Sequence, residues 1–243
     1  MLKTDVHNLG HTRSCLRADH FLQTPDTFVR APLPGMKAAS AIVHTGPANG
    51  ARFTEYTAEM QPGGRLAPTH LQRFLYVLDG NIAADEDALG PGDFAYVPQG
   101  MTKEVTATTA ARLVLIEKQF SGRASPKSFV GCEAQITSQP LLGDAALQVR
   151  SLVPNDPEFD FAVNIMTFDP GATLSQVEMH VMEHGLLMLQ GQGIYRLGDC
   201  WYPVAAGDFI YMAPFCLQWF GALGKSQTKY LIYKDWNRHP DVR

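Results

Sequence analysis

The chain repeats its own punctuation. Met60-Gln-Pro-Gly63, Phe74-Leu-Tyr-Val-Leu-Asp-Gly80 and Gly92-Asp93-Phe-Ala-Tyr-Val-Pro98 recur, in the same order, as Phe168-Asp-Pro-Gly171, Gly185-Leu-Leu-Met-Leu-Gln-Gly191 and Gly207-Asp208-Phe-Ile-Tyr-Met-Ala-Pro214. Each copy is a Pro-Gly turn, an apolar run closed by Gly, a Gly-Asp turn and an apolar run closed by Pro. Such self-similarity means one set of strands and turns used twice. The runs are short, no long amphipathic helix pattern separates them, and 21 Gly with 16 Pro supply turns. The expectation is an all-β chain of two tandem jelly-roll β-barrels. Its expected boundaries are 1–120 for an N-terminal barrel, 121–157 for a linker with a lead-in strand at Val149-Arg-Ser-Leu-Val, and 158–243 for a C-terminal barrel. Residues 38–44 read as one more strand; the rest of the first fifty residues lacks a pattern.

Composition narrows the partners. The net charge is −4 and no basic tract appears, which argues against nucleic acid. No apolar run is long enough to span a bilayer, and Met1-Leu-Lys-Thr-Asp-Val-His-Asn lacks the apolar stretch of an export signal. Cys15, Cys132, Cys200 and Cys216 are scattered without a CxxC pair, so neither a disulfide framework nor a Cys-rich zinc site follows. A cytoplasmic protein acting on a small molecule is expected, with no nucleic-acid or membrane partner. The unpatterned N-terminal arm has few uses in a monomer and suggests a homo-oligomer.

The chemistry concentrates in Glu178-Met-His180-Val-Met-Glu-His184, followed by Gln218. One carboxylate, two imidazoles and one amide suit a borderline-to-hard divalent ion. Glu178 and His180 are two apart, so a strand or hairpin puts them on one face, and His184 keeps that parity. Any single histidine here is more simply a polar neighbour of a core strand. Three such groups on one face of an apolar wall favour a metal, because unpaired buried polar groups are costly.

With the repeat and this cluster in place, the chain resembles the cupin superfamily, as a bicupin. The cupin motif spacing is kept: Gly171, Glu178-x-His180, three residues, His184, six residues, Gly191, then Pro214 shortly before Gln218. The ligand types are rearranged, and that rearranged set resembles the (S)-ureidoglycine aminohydrolase family of purine (allantoin) catabolism. Gly191-Gln-Gly-Ile-Tyr195-Arg-Leu-Gly, Trp201-Tyr-Pro-Val, Gln218-Trp219 and Tyr230-Leu-Ile-Tyr-Lys234 carry the same likeness. It is dense from about residue 160 onward and looser, though collinear, before that. The resemblance implies an Mn2+-dependent enzyme with Glu178, His180, His184 and Gln218 as ligands. It further implies Tyr230 and Lys234 at the substrate. Glu178 and Lys234 are the expected catalytic groups, Gln218 also faces substrate, and Tyr195 is a further contact at the barrel mouth.

In the first half the matching positions fall on Ala67, Thr69, Arg73 and Thr102. Alanine has no donor atom and Arg stays protonated. That half is expected to be a structural barrel without metal, with one metal per chain. His7, His11, His20, His44 and His239 read as loop or tail residues outside any ligand set. Glu183 reads as a solvated or structural carboxylate, Cys216 as a small buried hydrophobe, and Arg196 as a candidate for a carboxylate substrate. Two other functions stay open: a cupin dioxygenase or isomerase acting on a small organic acid, and a non-catalytic small-molecule binder.

Overall fold

The structure is a computed structural model and describes residues 10–122, 126–154 and 156–236. His7 and His239 lie outside the described residues. Among the described residues, helix is confined to three 3-10 turns, Pro25–Thr27, Pro47–Asn49 and Glu133–Gln135. The other regular elements among the described residues are strands. The first half holds β1 (Cys15–Leu16), β2 (His20–Gln23), β3 (Met36–Thr45), β4 (Thr54–Leu66), β5 (Gln72–Asp79), β6 (Ile82–Ala84), β7 (Asp87–Leu89), β8 (Asp93–Val97), β9 (Val105–Ala107) and β10 (Ala111–Lys118). The second holds β11 (Phe129–Cys132), β12 (Gln139–Leu141), β13 (Asp144–Ser151), β14 (Ala162–Phe168), β15 (His184–Gln190), β16 (Gln192–Leu197), β17 (Cys200–Ala205), β18 (Phe209–Met212), β19 (Gln218–Leu223) and β20 (Thr228–Lys234). The fold is all-β, as the repeat predicted.

The chain forms two compact units, and neither is contiguous. One takes Met1–Phe28, Pro140–Gln148 and Met166–Ile232; the other takes Val29–Gln139, Val149–Ile165 and Tyr233–Arg243. The division differs from the boundaries read along the sequence, since it falls inside β12, β13, β14 and β20.

The unit built on the first half is a sheet in the order β11-β8-β5-β10-β4-β9-β6-β7, with β3 also paired to β4. Alternation puts Ala58, Met60, Leu75, Val77, Leu113 and Leu115 on one face as its core. Each large aliphatic buried there contributes roughly 1.5–3 kcal/mol. Arg73 and Glu117 follow the same parity as Leu75 and Leu115. Arg73 Nη2 lies 2.7 Å from Glu117 Oε1, Tyr56 Oη donates to the same oxygen at 2.9 Å, and Arg73 Nη1 donates to the Ala67 carbonyl at 3.0 Å. An ion pair thus occupies the place that the candidate ligands hold in the other copy.

The unit built on the second half contains the order β1-β2-β18-β15-β20-β14-β13-β12 and a three-stranded sheet, β17-β16-β19. Its turns match those of the first copy. Gly80 and Gly191, each closing the first apolar strand of its copy, share φ = 75°. A Cβ at Gly80 would stand 2.0 Å from the Ala110 carbonyl oxygen, and one at Gly191 would stand 2.5 Å from Thr228 Oγ1. No other residue fits either turn. Asp93 accepts from the Gly90 amide and Asp208 from the Ala205 amide, both at 2.8 Å.

Each copy also has its second apolar strand completed from outside the repeat. β11, from the segment between the copies, pairs with β8, and β2, from the N-terminal arm, pairs with β18. Arg13 fixes the arm with a bidentate pair to the buried Asp208, at 2.6 and 2.8 Å. Residues 10–28 therefore have a use within the chain. His20 is a buried strand residue, and so is His44, whose Nε2 lies 2.8 Å from Thr57 Oγ1; both were expected in loops.

One buried group is unbalanced. Glu55 on β4 is fully buried, and neither carboxylate oxygen has a hydrogen-bond partner among the described residues. Burial pushes its carboxyl up to about 8, and burial pushes His44 down to about 3. A raised acid pKa makes the folded state hold a proton that the unfolded state has released, so stability falls as pH rises toward the folded value. Above pH ~7 His44 is largely neutral in both states, which leaves Glu55 to set most of the slope, at most about 1.4 kcal/mol per pH unit and shrinking as pH nears 8. Glu55→Gln should flatten that slope and raise stability at pH 8; urea titrations at three pH values check it, and an unchanged slope would refute it.

Candidate metal centre

The Pro-Gly turn at 170–171 ends β14 and releases a segment that is not a regular strand. From Leu174 to Glu183 it runs irregularly, tied to β19 by isolated bridges at Thr173–Gly221 and Glu178–Gln218. The strand or hairpin expected for Glu178-Met-His180 is corrected here. Parity does not bring these side chains together; the bridge does. The Glu178 amide donates to the Gln218 carbonyl at 2.8 Å and the Gln218 amide returns the bond at 2.9 Å. The Phe215 amide donates to the His180 carbonyl at 2.8 Å, and Trp219 Nε1 to the Leu174 carbonyl at 2.8 Å. His184 opens β15 and pairs with Met212 of β18. One residue is thus set by a strand start, one by the neighbouring strand and two by a loop pinned to it.

The four side chains converge on His180. Its Nε2 lies 3.3 Å from His184 Nε2, 2.7 Å from Gln218 Nε2 and 3.9 Å from Glu178 Oε2. Two adjacent ligands of one ion, with bonds near 2.1 Å at right angles, stand about 3 Å apart. The imidazole separation matches that spacing. Two imidazole nitrogens facing each other beside a carboxylate call for a positive charge between them. Rotating the Gln218 amide would turn its oxygen inward and complete an O, N, N, O set, so the residues fit a divalent ion. His184 and Gln218 are buried, while His180 and Glu178 are part-exposed, so the set opens on the Glu178 side.

Tyr195 and Tyr230 are fully buried and pack with Phe168 and Phe220. Burial raises both phenols; the nearby Glu178 charge raises both further, and the two hydroxyls are hydrogen-bonded to each other. They remain neutral donors. Lys234 ends β20 in the other compact unit, half-buried, with Nζ 3.3 Å from the Asn164 side-chain oxygen once that amide is turned to satisfy both its atoms. Asn164 was missed, although a lone amide inside the apolar run Ala-Val-Asn-Ile-Met was the signal.

Other candidates sit elsewhere. Arg196, of opposite parity to Tyr195, donates to the Gly198 carbonyl at 3.0 Å and lies over the Trp201 ring at 5.7 Å. Glu183 is buried, and Tyr211 donates to it at 3.1 Å, so it is structural rather than solvated. Cys216 is buried, as a small hydrophobe would be.

A cupin-domain family model matches residues 164–233. The "Probable (S)-ureidoglycine aminohydrolase" of Oryza sativa subsp. japonica is 41% identical over 242 residues, covering 95% of this chain and 77% of that one. The (S)-ureidoglycine aminohydrolase of Arabidopsis thaliana is 38% identical, covering 95% and 80%. Among solved structures, protein YlbA of E. coli superposes with a TM-score of 0.84 at 28% identity, covering 98% of this chain and 99% of that one. No helix among the described residues is long and apolar enough to cross a membrane. The chain belongs to the (S)-ureidoglycine aminohydrolase family.

Proposed function

We propose that the protein hydrolyses (S)-ureidoglycine to (S)-ureidoglycolate and ammonia, with Glu178, His180, His184 and Gln218 holding a divalent ion, Mn2+ in preference. The observation that carries this is the convergence of those four side chains on one point in a chain of this family. When bound, the ion would supply Lewis-acid polarisation and a fixed anchor.

The reaction breaks the aminal C–N bond, forms a C–O bond to the oxygen of water, and moves a proton to the departing amine. Glu178, the most exposed member of the set, is placed to pass that proton. Lys234 pairs with the substrate's anionic end. The neutral Tyr230 donates a hydrogen bond from below and Tyr195 holds Tyr230 in place. Gln218 offers its second amide atom to substrate. Three separated contacts distinguish the two faces of one carbon, which is how stereoselectivity arises.

The test is ammonia release from freshly generated ureidoglycine, with and without Mn2+. No release above the spontaneous rate from Mn-loaded protein would end this reading, and oxygen consumption would then be measured. Lys234→Ala should lower kcat/KM by about 10²–10³-fold and leave metal content unchanged; lost metal would contradict the assigned role. We also propose a homo-oligomer, favoured by Met179, Trp201 and Phe215 exposed on one compact unit. A light-scattering mass near 26.7 kDa at micromolar concentration would contradict it.

A further inference from the structure

A second group of metal-type donors lies outside the set just described. One donor atom each from Asp19, His20 and Cys216 lies within 4.8 Å of the other two. His20 and Cys216 are buried, whereas the Asp19 side chain is 48% exposed. They come from two distant parts of the sequence. Asp19 and His20 sit at the turn between β1 and β2, and Cys216 sits in the turn between β18 and β19. Backbone bonds hold the two turns together: the Ala213 amide donates to the Asp19 carbonyl at 2.8 Å, and the Cys216 amide to the Ala213 carbonyl at 3.1 Å.

The surroundings are those of a ligand set. His20 Nδ1 is 2.8 Å from Asp19 Oδ1, and its Nε2 is 2.9 Å from Tyr202 Oη. Without an ion, Nδ1–H donates to the carboxylate; in the tautomer that donates Nε2–H to the phenol oxygen, Nδ1 is freed to bind a cation beside Asp19. A metal-bound histidine characteristically donates its second ring N–H to such an outer partner. The Gly198 amide donates to the Leu217 carbonyl, next to Cys216, at 2.8 Å. Gly198 also leaves space. A Cβ there would stand 3.4 Å from Asp19 Oδ2 and 3.8 and 4.0 Å from Cε1 and Nδ1 of His20. A methyl-sized gap therefore lies beside the carboxylate and the ring.

We propose that Asp19, His20 and Cys216 form a second cation site, for a thiophilic divalent ion such as Zn2+ or Co2+, completed by water from the exposed side of Asp19. A sulfur, nitrogen and oxygen set selects such ions over Mn2+, which prefers oxygen and nitrogen. Ligation releases the thiol proton to solvent. The site clamps the N-terminal hairpin to the turn that delivers Gln218. It does not depend on the assignment of the Glu178 set, because the two share no residue.

The experiment uses the full chain, stripped with a chelator and titrated with Co2+, Zn2+ or Mn2+ alone. Wild type should develop a thiolate-to-Co2+ charge-transfer band and bind two Zn2+ but one Mn2+ per chain. Cys216→Ser should lose the band and one Zn2+ while keeping its Mn2+. Asp19→Asn should weaken the second Zn2+ at least about tenfold, again with Mn2+ retained. A wild type without the band, a band that survives Cys216→Ser, or a Zn2+ count that Cys216→Ser leaves unchanged would overturn the proposal. Loss of Mn2+ in both variants would also overturn it, since the three residues would then serve only the fold. Failure of the Glu178 assignment reads differently: Mn2+ binding would survive His180→Ala.

Discussion

His180→Ala should leave less than about a hundredth of the wild-type kcat/KM for ammonia release, and the purified variant should carry no tightly bound Mn2+. Losing an outer-shell partner already costs about 10–100-fold in metal affinity or activity. His180 is not peripheral: its Nε2 is the atom on which His184, Gln218 and Glu178 converge, at 3.3, 2.7 and 3.9 Å. Removing it deletes the point shared by the other three and leaves one imidazole, one carboxylate and one amide. His70→Ala is the control, since that histidine is exposed in the other copy of the repeat. Elemental analysis of the two variants decides the matter. Retained metal in His180→Ala, or lost metal in His70→Ala, would move the site elsewhere.

Lys118→Met should destabilise the first-half unit by ~3–5 kcal/mol. Asp160 is 2% exposed and accepts from Lys118 Nζ at 2.8 Å, Gln72 Nε2 at 2.7 Å and the Ser121 amide and hydroxyl at 2.8 and 2.9 Å. Burial pushes its carboxyl up, yet Lys118, Gln72 and Ser121 together hold it below its ordinary value. Asp235 lies 3.4 Å from the same ammonium. Taking away the cation removes the positive charge that faces two buried carboxylates, whereas replacing charge on both sides need not be costly. Lys118→Met with Asp160→Leu should therefore recover part of the loss. Urea unfolding of the single and double variants tests this; equal destabilisation in both would mean that packing, not charge, sets the cost.

The strands were legible because their punctuation is covalent: Gly80, Gly191, Asp93 and Asp208 act through their own backbone or within three residues of it. The candidate ligands were legible as a set, from residue type and spacing. Their geometry was not, because parity belongs to strands and Glu178 lies in a loop pinned by a bridge to Gln218, forty residues away. The same limit hid the arm. Nothing local in Cys15 to Gln23 says that it pairs with β18, and nothing local in Lys234 says that it meets Asn164. Glu55 and Arg73 look like ordinary charged residues in sequence; only the sheet decides that one is stranded in the interior and the other is matched by Glu117.

The pairing of β2 with β18 fixes an order of events during synthesis. Phe21 leaves the ribosome long before its neighbour Tyr211 exists. At ~5–20 residues per second the interval is roughly 10–40 s. During it, an apolar His-Phe-Leu hairpin waits on the nascent chain with its edge unsatisfied, while the strands from β3 to β11 are made one after another. Residues made early thus dock late, and the sheet that holds β18 takes up β2 only after β18 has emerged.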